Sequence, residues 1–413
     1  MVRTLIDVLT TPSYVSLIEG PPGAGKTSLA LKACAKRGRC TYISYTDPER
    51  SLLQKMKSVE RDFKGKIKVV NILSGNVESA FSEIQKSLAS GELVVLDTLD
   101  AMFYGIKDEN SIRPFLQILY GSLKYKDSSM IMITEGINPV AQQIRFVADA
   151  IISMNFREIL GKKLRTAELL KDRDNVIEQS LYFITFTEGF RILEPFLYTR
   201  KPKLGSYHEM VMPPGMGFEI EKELGNNVLI EFDSDVAEVR ASLLRKFHVA
   251  YFLKLGLTVN YVIGPNEDES SFISDMKTLV GDIKKLNIVH MDAREAGYSS
   301  EDYFRQHVSQ HKPNSVDVVN LLADEDFASK DPVEYEKFVK RVTVDEIKNK
   351  TVARVLGYVN REATRVQEKY ANVLRRITVT DGFTFWRSIK PPSQVYFIEI
   401  KPEEGKLNYI EMR

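Results

Sequence analysis

One nine-residue stretch constrains this chain more than any other: Gly20-Pro21-Pro22-Gly23-Ala24-Gly25-Lys26-Thr27-Ser28. An apolar, β-branched run at 14–19 precedes it and reads as a buried strand. The stretch "TSLALKACAKR" follows, rich in helix formers with an apolar stripe. The pattern G-x-x-x-x-G-K-T between a strand and a helix curls consecutive backbone N–H groups around an anion. The helix N-terminus adds its partial positive charge at the same point. In such a loop Lys26 reaches the β- and γ-phosphates of a nucleotide and the Thr27 hydroxyl ligates Mg²⁺. Ser28 stands in the first helical turn beside them.

A magnesium held there needs a carboxylate from a neighbouring strand. The run "ELVVLDTLDAMF" supplies it, with 93–96 apolar and Asp97 at the carboxyl end, where doubly wound sheets place their ligands. Asp100 reads as a solvated helix-start aspartate, with a second polar contact at the site as the alternative. Further strands are expected at "CTYISYT", "KIKVVNIL", "MIMITEG" and "ADAIISMNF", alternating with helical stretches. The expected fold is α/β, a mostly parallel sheet with helices on both faces.

Residues 1–194 resemble the RecA-type ATPases, and among them the KaiC/GvpD-like branch common in archaea. The resemblance rests on "LIEGPPGAGKTSLA", "YISYTDPERSLL", "VVLDTLDAMF", "MIMITEG", "VADAIISM", "RTAELLKDR" and "YFITFTEGFRIL". It implies ATP and Mg²⁺ as cofactors, ATP hydrolysis to ADP, and a homo-oligomer whose sites lie between neighbours. It also implies that Thr134, with Glu135 beside it, senses the γ-phosphate. The pair Lys171 and Arg173 in "LLKDR" would reach the neighbouring subunit's ATP as a finger. In one respect the chain departs from the family, which places glutamates after the strand corresponding to "TYISY". Here Thr46 and Asp47 stand in those places. Asp47 is one methylene shorter, and Pro48 restricts the backbone after it. Asp47 is then the candidate to activate water, with Glu49 as the alternative, and slow hydrolysis is expected.

The second half repeats the first in weak but ordered fashion. Leu17 matches Leu229, Tyr42 matches Tyr261, Asp97 falls on Asn320, Ala148 on Ala371 and Tyr182 on Tyr396. Two RecA-like domains in tandem are expected, 1–194 and 218–413, joined by a proline- and glycine-containing linker or swapped segment at 195–217. The second copy has lost the chemistry. Glu238 and Val239 replace Lys26 and Thr27, while Phe232, Asp235 and Ala237 replace the glycines. Such an acidic loop repels a triphosphate, so this copy reads as a pseudo-ATPase domain. Matching "YFITF" to "YFIEI" sets Arg387 on Arg173, which nominates Arg387 as a second finger candidate.

Net charge is +1 over 413 residues, which gives no general attraction to nucleic acid. The one basic loop worth testing is "FREILGKKLR", 156–165. The two cysteines, Cys34 and Cys40, read as reduced thiols; no signal peptide or membrane segment is visible, and a cytoplasmic location is expected. The combined reading is an Mg-ATP-dependent switch acting through its own oligomer or an unidentified protein partner. The alternatives are a DNA-associated recombination or repair accessory ATPase and a KaiC-like autokinase.

Overall fold

The computed structural model describes residues 3–72, 77–102, 112–123, 127–136, 139–173, 175–197, 202–213, 217, 219, 221, 223, 227–312, 315–349 and 351–413. The chain divides into two compact units, Met1–Glu194 and Pro195–Met412.

In the first unit, the strands are β1 (Val15–Gly20), β2 (Arg39–Ser44), β3 (Lys66–Asn71), β4 (Leu93–Asp97), β5 (Ser129–Glu135), β6 (Ala150–Ile159), β7 (Lys162–Asp172), β8 (Leu181–Thr185) and β9 (Arg191–Leu193). They form one sheet in the order β3-β2-β4-β5-β1-β6-β7-β8-β9. The segment from β3 to β6 is parallel, because each connection crosses over through a helix; β6 to β9 is an antiparallel run of hairpins. Every residue of β1 is buried, as a central strand covered on both faces requires. One face carries Tyr42, Val95 and Ile133 against the helix Lys26–Arg37. The other carries Leu17, Leu96 and Met132 against the helices Ile112–Leu123 and Pro139–Val147.

The second unit contains β10 (Glu209–Val211), β11 (Asn227–Phe232), β12 (Thr258–Val262), β13 (Leu286–Val289), β14 (Ser315–Asn320), β15 (Ala353–Tyr358), β16 (Val373–Thr380), β17 (Phe383–Lys390), β18 (Val395–Lys401) and β19 (Lys406–Glu411). Its order is β10-β19-β18-β17-β16-β11-β15-β14-β12-β13, the first sheet's order with one strand added at the edge. The fold is therefore two RecA-like α/β domains in tandem. Within 195–217, the described residues do not run as a linker: β10 pairs with β19, and His208 N–H donates to Gly405 O at 2.9 Å.

Register ties the two sheets together residue by residue. Ile133 lies between Asp97 and Ile18, and Leu356 lies between Asn320 and Ile230. Asn320 thus occupies the place of Asp97. On the next strands Met154 faces Ala167, and Ile377 faces Trp386. Trp386 therefore corresponds to Ala167, and Arg387 corresponds to Glu168. The expected equivalence of Arg387 with Arg173 is wrong, because the turn from β7 to β8, between Asp172 and Leu181, is longer than the turn from β17 to β18, between Lys390 and Val395, and the offset read from β8 does not carry back across it.

The reduced-thiol expectation is also corrected, since Cys34 and Cys40 form a disulfide. Gly38, at φ +80°, ends the helix Lys26–Arg37 and turns the chain directly into β2, so the two Cα atoms come within 5.4 Å.

Candidate nucleotide site

The cradle begins where β1 meets β6. A Cβ on Gly20 would overlap the carbonyl oxygen of Met154, and Gly20 has φ +148°, so only glycine lets the chain turn off the strand there. Pro22 and Gly23 form the exposed rim, Ala24 is buried, and Gly25 caps the helix at φ 102°. Lys26 starts the helix and folds back over the loop. Its Nζ donates to Gly20 O at 2.7 Å and to Pro21 O at 3.0 Å. Burial pulls the Lys26 pKa down, while Glu135, Asp97 and Asp100 pull it up.

Thr27 donates its hydroxyl to Asp97 Oδ2 at 2.9 Å, and Tyr42 OH donates to the same oxygen at 2.5 Å. Burial raises the Asp97 pKa against the pull of these two hydrogen bonds. A hydroxyl and a carboxylate converging below a lysine and a ring of backbone N–H groups suit a small hard cation and the phosphates it accompanies. The donor set therefore fits Mg²⁺ with a nucleotide. Thr27 and Asp97 would hold the ion, and residues Gly20 to Ser28 would hold the phosphates.

The other sequence-nominated residues divide. Asp47 lies close enough for its charge to raise the Asp97 pKa, but its carboxylate pairs with Lys55 at 2.6 Å. Thr134 does not face the cradle. It is fully buried, its hydroxyl has no hydrogen-bond partner, and it is the register partner of Glu19, which Arg145 of the opposite-face helix engages. Strand alternation gives the cradle face to Glu135, whose charge acts on Lys26 and whose N–H donates to Asp100 Oδ2 at 2.6 Å. Lys171 and Arg173 lie at the other end of the sheet. Arg173 pairs with buried Asp149 at 2.8 Å and donates to Tyr120 OH at 2.8 Å. Asp149 in turn accepts from Val15 N–H, at the start of β1. Val15 is about 17 Å from Gly20 along an extended strand.

Sequence reasoning missed Tyr42 and Arg165. Tyr42 sits on the β2 face that looks at Asp97, and the period-2 alternation of "TYIS" could have flagged it. Arg165 belongs to the basic stretch on β7. Its Nε donates to Gly23 O at 3.0 Å and its guanidinium covers the Phe186 ring. It therefore sits beside the loop.

The corresponding place in the second unit is taken up by ion pairs and hydrogen bonds among its own side chains. Glu238 starts the helix Glu238–Lys254, as Lys26 starts its own. Fully buried Arg245 pairs with Glu238 and, at 3.3 Å, with Glu267. Glu267 precedes the N-cap Asp268 as Asp47 precedes Pro48. It accepts from Tyr261 OH at 2.6 Å and from Asn320 Nδ2 at 2.8 Å. Tyr358, in the place of Glu135, donates to Glu238. Burial opposes the charge on Glu267, but Arg245, Tyr261 and Asn320 together hold its pKa below the usual value. The positions that form an anion cradle in the first unit are here spent on one another.

Residues 11–195 match the family model described as "ATPase: KaiC". The circadian clock protein KaiC2 of Synechocystis sp. is 22% identical over 205 residues, which is 43% of this chain and 36% of that protein. The chain thus covers about a third of that relative's length. The first unit is similar to KaiC-like P-loop ATPase domains, which agrees with the loop, the parallel sheet and Asp97. No helix among the described residues is long and apolar enough to cross a membrane.

Proposed function

We propose that this chain is an Mg-ATP-binding RecA-type ATPase that hydrolyses ATP slowly and works as a nucleotide-dependent switch through its own oligomer or a protein partner. One observation carries the reading: Lys26, Thr27 and Asp97 converge on a single cradle, whereas at the same places Glu238 and Asn320 are held in one network through Arg245 and Glu267, and Val239 carries no polar group. The second unit is then a pseudo-ATPase domain, with nucleotide bound only by the first. Bound Mg²⁺ would neutralise charge on the phosphates. The residues of this chain hold the phosphates, orient Asp97 through Tyr42, and seat Arg165 at the loop rim. Hydrolysis is expected to be slow because Asp47, standing where the resemblance implies a glutamate, is already paired with Lys55, which leaves Glu135 on the cradle face to serve in its stead. The DNA-linked and autokinase alternatives gain no specific observation, and Arg165 of the basic stretch is engaged by the loop itself.

Calorimetry tests this reading. One ATP should bind per chain, and Lys26→Ala should abolish binding while the fold persists by circular dichroism. Two nucleotides per chain, or undiminished binding by the variant, would overturn it.

A further inference from the structure

Among the described residues, a cluster in the second unit has no counterpart in the first. His307 and His311 lie four residues apart on and just beyond the helix Ser300–Gln310, so both rings leave the same side, 3.8 Å apart between centroids. They meet Asp317 of β14. By register with Asn320 and Asp97, Asp317 occupies the place of Val94, a fully buried core residue of the first sheet. The core has therefore exchanged an aliphatic side chain for a carboxylate beneath two imidazoles, which is costly unless the polar atoms are used.

Their partners are only partly supplied by protein. His311 Nδ1 is 3.2 Å from Asp317 Oδ1, and Asn260 Nδ2 donates to that oxygen at 2.8 Å. His311 Nε2 is buried with no hydrogen-bond partner. Glu346, on the helix Pro332–Asn349, is 6% exposed, and its Oε2 also lacks one. Glu346 and His307 line a common cavity of about 20 Å³, room for one water or one ion. One ligand atom from each of His307, His311 and Asp317 lies within 4.8 Å of the others. Small side-chain rotations would bring the three to bonding distance of a shared centre.

We propose that His307, His311 and Asp317 bind one divalent transition-metal ion of the zinc class, with Glu346 beside the open fourth position. Two imidazoles and a carboxylate are borderline ligands, which select zinc and its neighbours over magnesium or calcium. The ion pins the helix Ser300–Gln310 to β14. This site is independent of the nucleotide cradle, where Thr27 and Asp97 would offer a cation oxygen ligands alone.

The test uses the full chain, stripped with a chelator and dialysed, then titrated with Zn²⁺ against a chromophoric competitor. One Zn²⁺ should bind per chain and raise the melting temperature. Asp97→Asn should retain this binding, because its carboxylate belongs to the cradle. His311→Gln and Asp317→Asn, each checked for native circular dichroism, should lose at least roughly tenfold in affinity. Co²⁺ in place of Zn²⁺ should give the intense visible absorption of a four-coordinate centre. Should both variants misfold, that cobalt spectrum on the wild-type chain decides the matter alone. Equal zinc uptake by wild type and folded variants, loss of binding in Asp97→Asn, or a weak octahedral cobalt spectrum would overturn the proposal.

Discussion

Two carboxylates, Asp47 and Glu135, compete for the task of activating water, and their partners separate them. Asp47 is neutralised by Lys55, while Glu135 ends β5 on the cradle face and acts on Lys26. A general base contributes about 10²-fold or more when placed within reach of its water. Glu135→Gln should therefore slow ATP hydrolysis about 100-fold with binding retained, and Asp47→Asn should slow it far less. The reverse order in a steady-state assay would return the role to Asp47. Asp324 offers a second residue-scale test, because it is fully buried between Tyr303 and Tyr335, whose hydroxyls donate to it at 2.7 and 3.0 Å. Burial outweighs these bonds and pushes its pKa from an ordinary 3.8 up to about 6. Between those pH values the folded chain holds a proton that the unfolded chain has released, so stability from this group falls as pH rises through 6. The cost at neutral pH is on the order of 3 kcal/mol. Asp324→Asn should flatten the fall in urea-unfolding stability between about pH 4 and pH 6; an unchanged slope would remove Asp324 from the account.

Elements were legible in the sequence where chemistry and periodicity agreed. The loop after β1, the β4 carboxylate and the repeated strands all follow from residue type and spacing, and the observed register keeps the pairs Leu17 with Leu229, Tyr42 with Tyr261 and Asp97 with Asn320. Properties set by three-dimensional placement were not legible. A strand motif names Thr134 and Glu135 together, but only the pairing of Thr134 with Glu19 decides which faces the phosphates. A sequence match on β8 and β18 cannot register β7 with β17 across hairpins of unequal length, which misplaced Arg387. The acid-rich loop of the second unit was visible; Arg245, which binds its two glutamates, was hidden within an unremarkable helix. That network makes a sharp prediction. Arg245→Met removes a buried cation and leaves Glu238 and the buried side chain of Glu267 with hydrogen bonds but no opposite charge, which should cost about 3–5 kcal/mol. The midpoint of urea unfolding for the second unit should fall accordingly, with ATP affinity at the first unit unchanged. A cost under about 1 kcal/mol would mean that the acidic groups find other partners or protonate easily.

For the whole molecule, the open question is what completes the cradle. Arg173 cannot serve the loop of its own unit, since its partner Asp149 lies at the start of β1 and the phosphates lie at its end. That placement suits a finger offered to another copy, with Lys171 beside it, its amine donating to Arg145 O at 3.3 Å. Arg387 has no such standing: register sets it opposite Arg376 and Val395, and its Nε donates to Ser393 O at 3.2 Å. An arginine delivered from a neighbour stabilises the transferring phosphoryl group and is worth about 10³-fold or more. Arg173→Ala should therefore bind ATP as the wild type does, yet hydrolyse it about 1,000-fold more slowly, and Arg387→Ala should be unaffected. Mixing supplies the decisive measurement. Arg173→Ala chains keep the loop and Lys26→Ala chains keep the finger, so neither is active alone. Assembled together through a head-to-tail interface, they should recover up to about a quarter of the wild-type rate, the fraction of junctions that join an intact loop to an intact arginine. If the mixture stays inactive while each variant still assembles, Arg173 acts within its own chain or only through its pairing with Asp149, and the shared site is lost as an explanation.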